Sequence, residues 1–156
     1  MFFYGTLKRG ERNYVRYCGG ALRVEEGAVR GDLYDLPSLG YPVLVVPEES
    51  VYAFGTDNLA GDVEEQERLG LEQVPSLEGP RVLGEVFVFD DPWSRLATID
   101  RLEGFDPAAT SNHYRRVLIP VETSEGSPLL AWAYAVEESS GVYLPEGRWP
   151  THTKSV

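Results

Sequence analysis

Apolar and polar positions in this chain alternate in short runs broken by glycine and proline, with one clear stretch of helical period. Phe2-Phe3-Tyr4 opens the chain and breaks at Gly5, with Gly10 five residues later. This predicts a buried strand running into a tight, backbone-rich loop. Glu11–Tyr17 fits a short helix or a long turn. Ala21–Leu36 reads as extended structure interrupted at its glycines. Pro37–Gly40 reads as a turn, and Tyr41–Pro47 as a strand whose prolines place it at an edge or a strand terminus. Arg81–Phe89 is the strongest strand, apolar on both faces and therefore central. Glu85 inside it requires either solvent or a pocket. Tyr114–Val121 and Leu129–Val136 are two more strands. In the second, Leu130, Trp132, Tyr134 and Val136 alternate with Ala131, Ala133 and Ala135, and a small face turned inward leaves room for a cavity or a closely packed helix. Gly141–Val156 reads as an irregular tail anchored by Trp149.

The helical stretch is Asp90–Gly104. Asp91 suits the N-cap, Pro92 the first helical position and Gly104 the left-handed position that ends a helix. Trp93, Leu96, Ile99 and Leu102 recur at a spacing of three and define its apolar face. Ser50–Pro80 is different: Asp57, Asp62, Glu64, Glu65, Glu67, Glu72 and Glu78 stand against Arg68 alone. A helix is expected over Ala60–Leu71, with Val63 and Leu69 as sparse anchors. The segment reads first as an acidic, solvated surface insertion; its functional alternative is a lid or the contact of a homodimer. Many strands, one well-punctuated helix and glycine-rich corners predict an α+β fold, a small, mostly antiparallel, partly closed β-barrel with packed helices. The length of 156 residues fits one domain, 1–156, with the insertion at about 50–80.

The net charge of −11 repels phosphate at long range and argues against a nucleic-acid partner. The single cysteine, Cys18, cannot form an internal disulfide, which makes the cytoplasm the expected home. A buried, inert thiol is the better reading of it than a reactive one. Histidine occurs only at His113 and His152, too few with one cysteine for a usual zinc site. No leader pattern and no bilayer-length apolar run is present, so no membrane partner is expected.

Two places carry candidate chemistry. Consecutive N–H groups in the loop at Gly5 can converge on an anion, although a plain turn has the same sequence. Glu103 is the last residue before Gly104, at the helix end where unpaired carbonyls concentrate negative charge. A carboxylate there is disfavoured, and burial would raise its pKa further. Such a carboxyl suits general acid–base work near neutral pH; an exposed glutamate that tolerates the dipole is the plain alternative.

These residues form a recognisable set. Tyr4-Gly5-Thr6-Leu7 with Gly10 and Asn13 resembles the opening motif of the γ-glutamylcyclotransferase-like family, which includes the γ-glutamylamine cyclotransferases. Gly31-Asp32-Leu33-Tyr34-Asp35-Leu36 resembles its second strand, Tyr41-Pro42 its Tyr-Pro strand, and Val82-Leu83-Gly84-Glu85-Val86-Phe87 its Gly-Glu strand. Ile99-Asp100-Arg101-Leu102-Glu103-Gly104 resembles its Asp-x-x-Glu-Gly segment. Tyr114-Arg115-Arg116 resembles the Tyr-x-Arg that follows, and Ala131-Trp132-Ala133-Tyr134 the last strand. The resemblance runs in order along the whole chain. It departs at Ser50–Pro80, which is longer than expected, and between Gly104 and Tyr114.

The resemblance implies a small barrel around a polar cavity. It implies conversion of a γ-glutamyl amine or amino acid to 5-oxoproline and the free amine, with no metal or organic cofactor. Glu103 would be the catalytic acid/base, and Tyr4, Gly5, Thr6 and Leu7 would contact the γ-glutamyl group. Tyr114 would orient Glu103 or the substrate, or is a core tyrosine. Arg116 would pair with the substrate carboxylate, or point to solvent near the acidic segment. Tyr34, Tyr41 and Tyr134 read as core or pocket wall, and Lys8 and Arg9 as solvated loop charges. Two alternatives stand beside this one: a non-catalytic domain that binds glutamyl-like ligands in the same cavity, and an interaction module built on the acidic segment.

Overall fold

The computed structural model describes residues 1–70, 78–124 and 128–151. The elements among them are, in chain order, β1 (Phe2–Phe3), α1 (Tyr14–Cys18), β2 (Arg23–Arg30), β3 (Asp32–Leu36), β4 (Tyr41–Val45), a 3-10 turn at Glu48–Ser50, β5 (Ala53–Phe54), α2 (Leu59–Gly70), β6 (Arg81–Val88), α3 (Pro92–Glu103), β7 (Arg115–Thr123), β8 (Pro128–Ala135) and β9 (Val142–Tyr143).

All strand pairings are antiparallel. The larger sheet runs β1-β6-β2-β7-β5 with β8 also on β7, and the smaller runs β4-β3-β9. As expected of the strongest strand, β6 is interior, flanked by β1 (Phe2 opposite Val86) and β2 (Glu26 opposite Glu85). The sheets are stitched together where Val136 N–H donates to Leu44 O and Leu83 N–H to Gly147 O, both at 2.8 Å. The result is an α+β fold with a nearly closed, barrel-like antiparallel sheet.

Phe2, Val29, Leu33, Leu44, Val82, Val117, Ile119 and the alanine face of β8 fill the barrel interior. Trp132 and Leu130, from the large face of β8, pack outward with Leu96 and Leu118 beneath α2 and α3. The small face is therefore inward as expected, but it is filled by neighbouring strands and leaves no cavity there.

Three local expectations change. Trp93 is 59% exposed while Leu96 and Ile99 are buried. Positions three apart drift by roughly 60° per step around a helix of 3.6 residues per turn, so a run of four cannot share one face. Asp91 occupies the N-cap position of α3 without a side-chain cap bond; its carboxylate instead pairs with Arg95 at 3.2 Å. The acidic segment is not simply a solvated excursion. β5 pairs Ala53 with Leu118, Val63 and Leu69 pack on the Trp132 layer, and Asp62 is buried. Leu71, the expected end of its helix, and Glu72 lie outside the described residues.

The remaining charged positions are tied down by distant partners. Glu85 accepts the backbone N–H and Nε of Arg9, each at 2.7 Å. Lys8 Nζ donates to Trp149 O at 2.5 Å, and Trp149 Nε1 donates to Asp35 Oδ1 at 3.1 Å. Lys8 and Arg9 are thus anchors of the first loop, and Trp149 does anchor the tail. Burial also governs Cys18, whose thiol is pushed up to about 12 and is inert at neutral pH.

Candidate active site

Tyr4, Gly5, Thr6, Leu7, Glu103 and Tyr114 line one cavity of about 250 Å³. β1 delivers the loop, α3 delivers Glu103, and the entry to β7 delivers Tyr114. The loop is closed by Asn13, whose N–H donates to Thr6 O and whose Nδ2 donates to Thr6 Oγ1, both at 2.9 Å. Lys8 N–H returns to Gly5 O at 3.2 Å. The N–H groups of Gly5, Thr6 and Leu7 donate to no acceptor among the described residues. A Cβ on Gly5 would meet the Pro42 ring at 3.0 Å, so the absence of a side chain lets the loop lie against β4.

Three tyrosines form the polar wall. Tyr4 Oη donates to Tyr134 O at 2.6 Å and Tyr114 Oη to Pro42 O at 3.0 Å. Burial, followed by neighbouring charges, raises the pKa of Tyr4, Tyr114 and Tyr134, so all three stay neutral donors at physiological pH.

Glu103 ends α3. Gly104 follows in the left-handed conformation, φ 68°, with its N–H on the carbonyls of Arg101 and Asp100. No described group hydrogen-bonds or ion-pairs with the Glu103 carboxyl. Its pKa is raised from 4.5 to about 7, and burial is the cause. The sequence pointed to a raised pKa through the helix dipole; desolvation in the cavity does the work instead. A half-protonated carboxyl near neutral pH can both take and return a proton.

One turn earlier, Arg116 is fully buried, directed neither at substrate nor at solvent. Its Nε donates to Asp100 Oδ1 at 2.8 Å and its Nη2 to Asp62 Oδ2 at 3.0 Å. The guanidinium lies over the Trp132 ring at 4.8 Å. Tyr134 Oη adds a bond to Asp100 Oδ1 at 2.5 Å, and Thr56 donates N–H and Oγ1 to Asp62 at 2.8 and 2.7 Å. This cluster clamps α2, α3, β7 and β8 together immediately before Glu103.

The cavity also takes in Phe2, Phe3, Arg12, Asn13, Pro42, Leu102 and His113, together with Tyr41 and Tyr134. Arg12 and His113 had no local signal. They flank recognised motifs, Arg12 two residues after Gly10 and His113 immediately before Tyr114.

Two solved structures share the fold. YkqA from Bacillus subtilis matches at 19% identity and a TM-score of 0.57, over 96% of this chain; the chain spans 38% of YkqA's length. The uncharacterised protein PH0828 from Pyrococcus horikoshii matches at 18% identity and 0.55, over 96% of this chain and 87% of that one. No curated protein is matched. The sequence model of one family, described as "Gamma-glutamyl cyclotransferase, AIG2-like", matches residues 1–69 and 63–151. Loop, strands and the helix that ends in Glu103 all lie inside those spans, and the chain belongs to the AIG2-like γ-glutamyl cyclotransferase family.

Proposed function

We propose that this protein converts a γ-glutamyl amine or γ-glutamyl amino acid to 5-oxoproline and the free amine. The observation that carries the reading is the unpaired carboxyl of Glu103, with its pKa near neutrality, facing a cavity whose loop leaves N–H groups undonated. In the reaction the substrate's own α-amine attacks its γ-carbonyl. The new C–N bond closes a five-membered ring, and the old amide C–N bond breaks. The nucleophile arrives with the substrate, so the protein needs to hold the chain folded and move protons. Ionised Glu103 accepts the proton that the attacking nitrogen loses, then delivers it to the departing nitrogen. The N–H groups of Gly5, Thr6 and Leu7 anchor the γ-glutamyl moiety, where fixed donors are already oriented toward negative charge. Tyr4 and Tyr114 shape the wall and keep Glu103 in a poorly solvated site.

The test is 5-oxoproline release from a panel of γ-glutamyl amines and amino acids, read by mass spectrometry. The Glu103→Gln variant keeps the side-chain shape and loses the base, and its turnover should fall by about 10²–10⁴. Full turnover in that variant would remove Glu103 from the mechanism. Silence of the folded wild type, with glutamyl ligands still bound, would make the cavity a recognition site only.

A further inference from the structure

Arg12 is a cavity-lining cation on the solvent-facing side, exposed, and without an ion pair to any described carboxylate. In a chain with 25 acidic residues against 14 lysines and arginines, that is a notable vacancy. Arg9, Arg30, Arg95 and Arg115 all find carboxylates on the surface.

The guanidinium is also held in place. Gly40 adopts φ +75°, and a Cβ there would lie 3.1 Å from Arg12 Nη1, so the turn before β4 packs against the head of this side chain and glycine alone leaves it room. Both Leu39 and Gly40 N–H donate to Leu36 O at 2.9 Å, which fixes that turn. At the other end, the neighbouring Asn13 is fastened to Thr6 by two hydrogen bonds. Arg12 therefore bridges the loop and the turn that border the cavity.

It does not serve the reacting end. Burial raises the Glu103 pKa with no cation offsetting it, so Arg12 stands clear of that carboxyl. A γ-glutamyl group held by the loop, with its amide at Glu103, directs its leaving portion away from both and toward the open side.

We propose that Arg12 recognises a carboxylate on the leaving group, so that the substrates of this site are γ-glutamyl amino acids rather than γ-glutamyl alkylamines or polyamines. The inference rests on the cyclotransferase reading above. An amino acid's carboxylate is planar and matches the guanidinium fork with two parallel hydrogen bonds. A polyamine would instead place an ammonium beside a guanidinium.

The test separates recognition from turnover. γ-Glutamylglycine and γ-glutamylethylamine differ by a carboxylate in place of a methyl group. Their binding is measured by calorimetry on Glu103→Gln and on Glu103→Gln/Arg12→Gln, while 5-oxoproline release from both is followed with the wild type. Glu103→Gln should bind γ-glutamylglycine about tenfold more tightly, the range of a charge-assisted hydrogen bond that is partly solvated. The added Arg12→Gln change should collapse that ratio to within about twofold. Equal binding of the two ligands by Glu103→Gln overturns the proposal. So does an equal loss for both in the double variant, which would mean that Arg12 reads the glutamyl carboxylate. Product without a preference refutes the role of Arg12 and leaves the reaction standing. A preference without product refutes the reaction and leaves the role of Arg12 standing. Failure of both ligands to bind overturns both.

Discussion

Asp100 and Glu103 stand one turn apart on α3 in opposite surroundings. Asp100 receives Arg116 and the Tyr134 hydroxyl, with Asp62 bound to the same guanidinium. Glu103 receives no described donor and faces a cavity, and burial raises its pKa to about 7. The same side-chain chemistry on the same helix is used in one place to fasten elements together and in the other to keep a proton exchangeable. A carboxylate wrapped in donors has little freedom to change charge, whereas one that is desolvated without partners sits close to the balance point. The difference also assigns work to the acidic segment. Through Asp62, α2 helps to hold the turn of α3 that presents Glu103.

The sharpest way to break this comparison is to remove the shared cation. Arg116→Met should leave Asp62 and Asp100 buried without a counter-charge, destabilising the fold by about 3–5 kcal/mol. A urea titration at pH 7 reads this, and a loss within 0.5 kcal/mol, about the scale of a neutral surface change, would show that the cluster is not what holds α3.

Glu103→Gln should act in the opposite direction, and only in one pH window. Below about 4.5 the wild-type carboxyl is protonated in folded and unfolded chains alike. Between 4.5 and about 7 the unfolded chain releases the proton and the folded chain keeps it, so wild-type stability falls across that interval. At about 1.4 kcal/mol per pKa unit, the difference approaches about 3 kcal/mol above pH 7 as an upper bound. Paired urea titrations at pH 4.5 and pH 8 should show the variant gaining on the wild type only at the higher pH. A gap independent of pH would mean that Glu103 is not desolvated.

Asp62→Asn sharpens the comparison from the side of the acidic segment. It keeps the shape and weakens the bonds to Arg116 and Thr56, with an expected loss of about 2 kcal/mol. Combined with Arg116→Met, the two losses should add to less than their sum, because they break one network. Strict additivity would dissolve the network.

Much of this was legible where the signal is local. The apolar opening run, the Asp91-Pro92 start and Gly104 end of α3, and the position of Glu103 on its last turn are all encoded within a few residues of one another. The cavity followed because motifs far apart in sequence belong to its separate walls. The cluster was not legible: Arg116 sits in an alternating strand, and nothing near it reveals that Asp62 and Asp100 arrive from two other elements. β5 escaped for another reason, being two residues long with a partner, β7, more than sixty positions away. Glu85 announced itself as an anomaly within β6, but its explanation, Arg9, lies on the opposite side of a sheet pairing.

The most direct measurement is the titration of Glu103 itself in the folded protein, followed by carboxyl carbon NMR and assigned by loss of the signal in Glu103→Gln. A midpoint near 7 would establish the unpaired, desolvated carboxyl on which the account rests. A midpoint at the ordinary glutamate value near 4.5 would contradict it, and the acid–base role with it.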